Sequence, residues 1–478
     1  MSPDEYDASD ALALAELVRV GAVTAEELAA EANRRIDALN PVLNAVVHRF
    51  EGESCSAPGG VFGGVPVLLK DTAMAIKGRP LTSGSRLYAG VVSEADGTLA
   101  GRYRKAGFVF LGRTNVPELA LSLTTESDLH GIARNPWDLS RSPGGSTGGG
   151  AAAVAAGIVP IAQGSDGAGS IRVPAAHCGV FGFKPSRMRN PSGPAGIGNA
   201  GMATLHALTR SVRDCASLLD ATSGPDIGDA YAAPPPVRAY AEEVRTAAAL
   251  RPLRIGLVTE GPEGAPYDPE CRAAAEAAAR LCEGLGHSVT PVTLEMDNAR
   301  LKWAWKTIGA SSAALGVTRF AAIKGIADPY ALLEPTTIAW IEHGKSVPAT
   351  DYVAAVQVLE ASSRTMGQFF QEHDIFLSPT TAQIAPPLGW LRDDTLDLDA
   401  FFTRFWNHAP HAALFNASGC PAMSVPLGWT AQGLPVGVQF GAGYGGDGVL
   451  IALAAQLEAA QPWAARRPAM TVAAGRPS

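Results

Sequence analysis

The amino-acid sequence predicts an α/β fold, a sheet covered by helices on both faces. Two observations carry this. Short apolar runs of strand length alternate with longer stretches of helical periodicity, as in Arg254–Val258, Pro269–Leu285 and His287–Leu294, which read as strand, helix, strand. The chain is also long and apolar enough to bury a large core: 478 residues, 47% hydrophobic and 18% charged, exclude global disorder.

Taken in order, Leu12, Leu14, Leu17 and Val18 form one helical face, and Gly21 stops that helix. Thr24 caps the next helix, Glu27 completes a capping box, and the helix runs to about Leu39, ahead of Pro41. After a turn at Gly59–Gly64, Val65–Leu69 reads as a buried strand ending in Lys70-Asp71. Phe108–Leu111 is a second strand, Ala151–Ala156 a helix and Val159–Ala162 a third strand. The Pro-rich run Ala232–Pro236 reads as a surface connection, not a domain boundary. The expectation is one domain over 1–478. It would comprise N-terminal helices to about 60, a core over about 61–220, an inserted region over about 250–410, and a return to the core over about 411–465.

The net charge of −8 argues against a basic nucleic-acid surface and against a polybasic membrane anchor. The uncharged stretch Ser142–Ser165 is too glycine-rich to span a bilayer. Met1–Asp10 is acidic and lacks an apolar signal region, so the expected location is cytoplasmic. The six cysteines show neither C-x-x-C pairs nor zinc-type spacing, and neither a metal nor another cofactor is implied. Oligomeric state, a homo-oligomer included, is left open.

Chemistry concentrates in two glycine-serine segments, Gly144-Gly145-Ser146-Thr147-Gly148-Gly149-Gly150 and Gly164-Ser165-Asp166-Gly167-Ala168-Gly169-Ser170-Ile171-Arg172. Glycine lets backbone N–H groups approach a ligand, and successive N–H groups can cradle an anion. A serine beside such a cradle supplies what acyl transfer needs: a nucleophile, and donors for the oxyanion. Gly144–Gly148 fits G-x-S-x-G, but the preceding Arg134–Pro143 reads as loop where a nucleophile elbow needs a strand. S-x-x-K and the P-loop pattern are both absent. Lys70 is the remaining candidate base: it is one of only 8 lysines and it ends an apolar strand, where desolvation lowers an amine pKa toward neutrality, the alternative being a lysine that snorkels out at the strand end.

Lys70, Ser146 and Ser170, with spacings of 76 and 24, closely resemble the amidase signature hydrolases. Supporting blocks cover nearly the whole chain. They include Gly112–Glu118, Arg134–Asp138, Pro174–Ala176, Gly179–Pro185, Phe415-Asn416, Gly419–Ala422 and Gly433–Phe440. The resemblance implies a large, twisted, mixed sheet covered by helices on both faces. It implies Ser170 as nucleophile, Ser146 after a cis peptide bond as proton relay, and Lys70 as base. Gly167, Ala168 and Gly169 would face the oxyanion, and Ala120, just past a family block, would line the acyl pocket. Two departures, Thr147 for a serine and Ala168 within the second loop, keep the residues small. Asp166 and Arg172 flank Ser170 at −4 and +2 and are expected to share a contact that holds the loop.

The implied activity is hydrolysis of an amide C–N bond in a small molecule. Relatives cleave fatty, aryl and peptide amides, cyclic nylon oligomers and urethanes. Trp303, Trp305, Trp340, Trp390, Phe401, Phe402, Phe405 and Trp406 in the inserted region favour a neutral, bulky or aromatic amide, with carbamates and esters also within reach. No arginine cluster suited to a carboxylate or phosphate is evident. A glutamine-hydrolysing subunit of a tRNA-dependent amidotransferase is the alternative, and a non-enzymatic scaffold would not need all three of Lys70, Ser146 and Ser170. His177 and Cys178 read as packing residues on a strand, and His343 as a helix end.

Overall fold

A computed structural model describes residues 1–392 and 397–470. In chain order its strands are β1 (Val46–Arg49), β2 (Pro66–Lys70), β3 (Val109–Thr114), β4 (Glu126–Ser127), β5 (Gly131–Ile132), β6 (Ile161–Asp166) and β7 (Phe181–Lys184). They continue with β8 (Thr204–Thr209), β9 (Arg254–Leu257), β10 (Ser288–Pro291), β11 (Ile375–Pro379), β12 (Ala422–Trp429) and β13 (Pro435–Ala442). Eleven of them form one sheet in the order β1-β3-β2-β6-β8-β7-β12-β13-β11-β9-β10, and β4 pairs with β5 apart from it. The sheet is mixed: β2 runs parallel to β3 and β6, whereas β6 and β7 both run antiparallel to β8. The β12–β13 hairpin lies between β7 and β11, so the C-terminal part of the chain joins two halves of the sheet.

Local sequence explains the elements that carry the site. All of β2 is buried, which suits its unbroken apolar run in a parallel pairing. The Thr24/Glu27 capping box is formed. That helix, Ala25–Leu43, continues through Pro41 instead of stopping at Leu39. Leu39 and Leu43 are buried there, and the Asn40 side chain exchanges hydrogen bonds of 2.9 and 2.8 Å with the Val46 backbone, offsetting the proline's lost donor.

The third expected strand is displaced. It begins at Ile161 and runs to Asp166, because buried polar residues at its far end break the apolar pattern. Phe108–Leu111 likewise extends to Thr114, through the buried Arg113. The helix expected at Ala151 starts three residues earlier, at Gly148. A Cβ on Gly148 would lie 2.3 Å from Thr125 Oγ1, and one on Gly149 2.5 Å from Ala45 O, so this close approach requires glycine. His177 and Cys178 end the helix Arg172–Cys178 and are not on a strand. The β9–helix–β10 unit is present, with its strands parallel. Among the described residues, no helix is long and apolar enough to cross a membrane. All six cysteines are free.

Candidate active site

Lys70 ends β2, and Ser165-Asp166 end the neighbouring parallel strand β6. The two strand ends therefore deliver an amine and a carboxylate to one edge of the sheet. Lys70 is completely buried, and its Nζ lies 2.7 Å from Ser146 Oγ and 2.9 Å from Ser165 Oγ. Burial pushes its pKa down to about 7, against the opposing pull of Asp166. Lys184 is the other buried lysine, also near 7 through burial, but its Nζ donates to the Pro185 carbonyl at 3.0 Å. Only Lys70 meets a serine of the first loop.

The Gly145–Ser146 peptide is cis. A Cβ on Gly145 would sit 2.2 Å from Thr124 O, so this position accepts no side chain. Ser170 follows the second loop, 7% exposed, and its carbonyl accepts from Thr147 N–H at 3.2 Å, which ties the two loops together.

Asp166 organises the second loop. Its Oδ1 accepts from Gly169 N–H (2.8 Å) and its Oδ2 from Ile171 N–H (3.2 Å). Arg172 grips both oxygens through Nε and Nη2, each at 2.9 Å, and both side chains are fully buried. Burial opposes ionisation of Asp166. The Arg172 charge and hydrogen bonds outweigh that and hold the carboxyl well below its usual range. Arg172 also donates to Asn416 Oδ1 (2.7 Å) and Gln439 Oε1 (2.8 Å). Asn416 Nδ2 in turn donates to the Asp166 carbonyl at 2.8 Å.

Ser165, Asn416 and Gln439 are contacts to which no sequence pattern gives a role, and Trp305, expected only as one of the pocket aromatics, touches the second loop directly. Trp305 Nε1 donates to the Gly167 carbonyl at 3.0 Å. The Gly169 N–H assigned to the oxyanion is taken by Asp166. What Gly169 contributes is its backbone, at φ +116°. A Cβ on Gly167 would meet nothing within 4 Å, so that side of the loop is open.

The eight tryptophans and phenylalanines singled out above, Trp303 to Trp406, lie in or against one apolar cluster that also contains Leu123 and Ala168. Ala120 is half-buried, at φ +58°, and ends the short turn Glu118–Ala120. His177 Nε2 lies 3.2 Å from His408 Nε2, and burial keeps His177 neutral. The Cys178 thiol, its pKa raised by burial, donates to Pro143 O at 3.5 Å. A cavity of about 660 Å³ lined by Arg187, Phe370, Cys420 and Tyr444 includes none of Lys70, Ser146 and Ser170.

Among the described residues, one group has metal-type donors: His48, Asp71 and His130, with ligand atoms within 4.8 Å of one another. The Asp71 carboxylate already accepts from Thr82 N–H (2.9 Å), the Thr82 hydroxyl and Gly84 N–H (3.4 Å), and the buried Arg113 charge stands near it. Thr82 Oγ1 also lies 2.8 Å from His130 Nε2, so Asp71 and His130 are joined through Thr82, while His48 packs edge-on against the His130 ring and its buried Nε2 has no hydrogen-bond partner among the described residues.

A near-neutral amine bonded to a serine hydroxyl, beside a second serine on a rigid loop with N–H groups, can move a proton off a nucleophile and back to a leaving group. Residues 27–451 match the family described as Amidase. The chain is 38% identical over 479 residues to the 6-aminohexanoate-cyclic-dimer hydrolase of Paenarthrobacter ureafaciens, covering 96% of each chain. A solved structure of 6-aminohexanoate cyclic dimer hydrolase superposes with a TM-score of 0.91 at 37% identity, over 97% of this chain and 99% of that one. A bacterial aryl acylamidase of the amidase signature group superposes at 0.85 with 27% identity, over 98% and 99%.

Proposed function

The chain belongs to the amidase signature family and is an amide-bond hydrolase, and from that premise we propose that it cleaves neutral, bulky or aromatic carboxamides through an acyl-enzyme on Ser170. The observation that carries this is the buried Lys70 Nζ, 2.7 Å from Ser146 Oγ. Neutral Lys70 takes a proton from Ser146, which takes one from Ser170. Ser170 Oγ then bonds to the carbonyl carbon, and the carbonyl π pair moves onto oxygen. That oxyanion is met by N–H groups of the Gly167–Ser170 turn, chiefly Ala168, because Gly169 N–H is engaged by Asp166. Collapse expels the amine, which takes the proton back along Ser146 and Lys70. Water then enters by the same relay and releases the acid.

The aromatic cluster next to Ala168 supports an apolar acyl pocket. Cyclic amides, the substrate class in the name of the relative above, fit the same chemistry, since ring opening leaves acid and amine on one product. Carbamates and esters react at the same carbonyl. Ala120 would leave room on the acyl side. The Asp166–Arg172 pair would act by holding the loop.

A fluorophosphonate probe followed by peptide mass spectrometry should label Ser170. Labelling of Ser146 with Ser170 untouched would defeat the assignment. A panel of p-nitroanilides, a cyclic diamide, a urethane and glutamine, tested on the purified chain alone, then sets the substrate class. Turnover confined to glutamine would instead favour an amidotransferase subunit.

A further inference from the structure

We propose that Trp305 is a positioning residue that aims the Ala168 N–H at the oxyanion and ties that aim to the buried aromatic cluster around its ring. The proposal rests on the reading of Ser170 as nucleophile. From Asp166 to Ser170 the loop has no side chain longer than a methyl group at Gly167, Ala168 or Gly169, so its peptide planes must be held from outside. Each plane has its own anchor. The Asp166 carbonyl accepts from Asn416 Nδ2 at 2.8 Å. Gly169 N–H is held by Asp166 Oδ1, and the Gly169 carbonyl accepts from Val173 N–H at 2.7 Å. The Ser170 carbonyl accepts from Thr147 N–H. The remaining plane, Gly167–Ala168, is held by the Trp305 indole at 3.0 Å.

In a trans peptide the carbonyl and the following N–H point in opposite directions. Fixing the Gly167 oxygen therefore fixes the direction of the Ala168 N–H, for which no acceptor occurs among the described residues. The other side-chain anchors come from the loop itself or from the C-terminal return, whereas Trp305 sits on the long helix Asn298–Lys324 of the inserted region. Its ring is wedged by Phe402 (stacked, centroids 5.7 Å apart), Phe405 (5.5 Å) and Trp340 (6.0 Å). The same rings form the apolar cluster beside Ala168. The aim of this donor is thus set by the packing of a buried aromatic cluster, and its loss is read out in turnover.

The test replaces Trp305 with its benzothienyl isostere, in which sulfur stands for the indole N–H and the shape is kept, alongside Trp305→Phe. The expected result for a good amide substrate is a kcat lower by about threefold to a hundredfold with KM nearly unchanged. The lower bound is the net worth of one hydrogen bond and the upper the loss of one oxyanion donor. An aryl boronic acid, which forms a tetrahedral adduct with the serine, should bind more weakly by a similar factor. A purely structural role would instead lower the urea midpoint of the isostere and leave kcat per folded molecule intact. Unchanged kcat and boronic acid affinity in the isostere would overturn the proposal, as would a rise confined to KM. If fluorophosphonate labels wild-type Ser170 while the isostere behaves as wild type, only this inference fails. If Ser170 in the wild type resists the probe, the reading of the nucleophile fails with it.

Discussion

The lowered pKa of Lys70 can be tested by kinetics and by stability together. With a pKa of about 7, the neutral fraction rises from about 9% at pH 6 to about 91% at pH 8. For a substrate without titrating groups, kcat/KM should rise about tenfold across that interval and then level off. A lysine at its ordinary 10.5 would be only about 0.3% neutral at pH 8, and the rate would keep climbing about tenfold per pH unit to pH 10. The same shift has a thermodynamic side. Between pH 7 and 10.5 the unfolded chain holds this proton and the folded chain does not, so the group adds stability as pH rises through that window. Below pH 7 both states are protonated, and burying the charge costs the fold roughly 4–5 kcal/mol relative to alkaline pH. Lys70→Met should therefore abolish amide turnover and raise stability, by several kcal/mol at pH 6 and much less at pH 10. Paired pH–rate profiles and urea titrations at pH 6, 8 and 10 measure both. A rate still rising steeply above pH 9, or a stability gain independent of pH, would refute the reasoning.

Three further outcomes follow from the loop. Asp166→Asn or Arg172→Lys should cost roughly 3–5 kcal/mol in urea unfolding, because the first leaves the buried Arg172 charge uncompensated and the second keeps the charge but loses the guanidinium fork that serves three buried acceptor side chains; a change below about 1 kcal/mol, the scale of a surface pair, would contradict this. Gly169→Ala must place a methyl 3.0 Å from Ala412 Cβ and 3.1 Å from Val173 Cγ2 at φ +116°, so kcat should fall by about 10²-fold or more through displacement of the adjacent Ser170, measured at saturating substrate. Gly167→Ala meets no neighbour within 4 Å, so its melting temperature should match wild type while KM for bulky amides rises; an unchanged KM would mean that the open side of the loop does not face substrate.

What the sequence disclosed and what it hid divide along physical lines. The Thr24/Glu27 cap and the apolar run into Lys70 are local patterns, and both appear where their spacing placed them. The strand that ends at Asp166 was misplaced because its active end is buried and polar, which defeats a hydrophobicity reading. Glycine-rich segments announced close backbone approach, but not that one N–H would be claimed by Asp166. Asn416 and Gln439 fell within motif blocks, yet their partner Arg172 is 244 and 267 residues away, and no spacing rule reaches so far. Trp305 was one indole among eight aromatics, distinguished only by what its nitrogen touches.

The C-terminal segment that joins the two halves of the sheet also sets when the loop after β6 becomes fully braced. Lys70, Ser146 and Ser170 leave the ribosome early, but Asn416 follows Arg172 by 244 residues. At about 5–20 residues per second, that gap lasts roughly 12 to 50 seconds of synthesis. Through that interval Arg172 has neither its Asn416 nor its Gln439 acceptor, and the loop bearing Ser170 is incompletely braced. The brace around Asp166 and Arg172 is thus complete only after the C-terminal part of the chain has been made. The exposure this entails is at β7, whose edge waits for β12 and is open to pairing with other chains until the hairpin arrives.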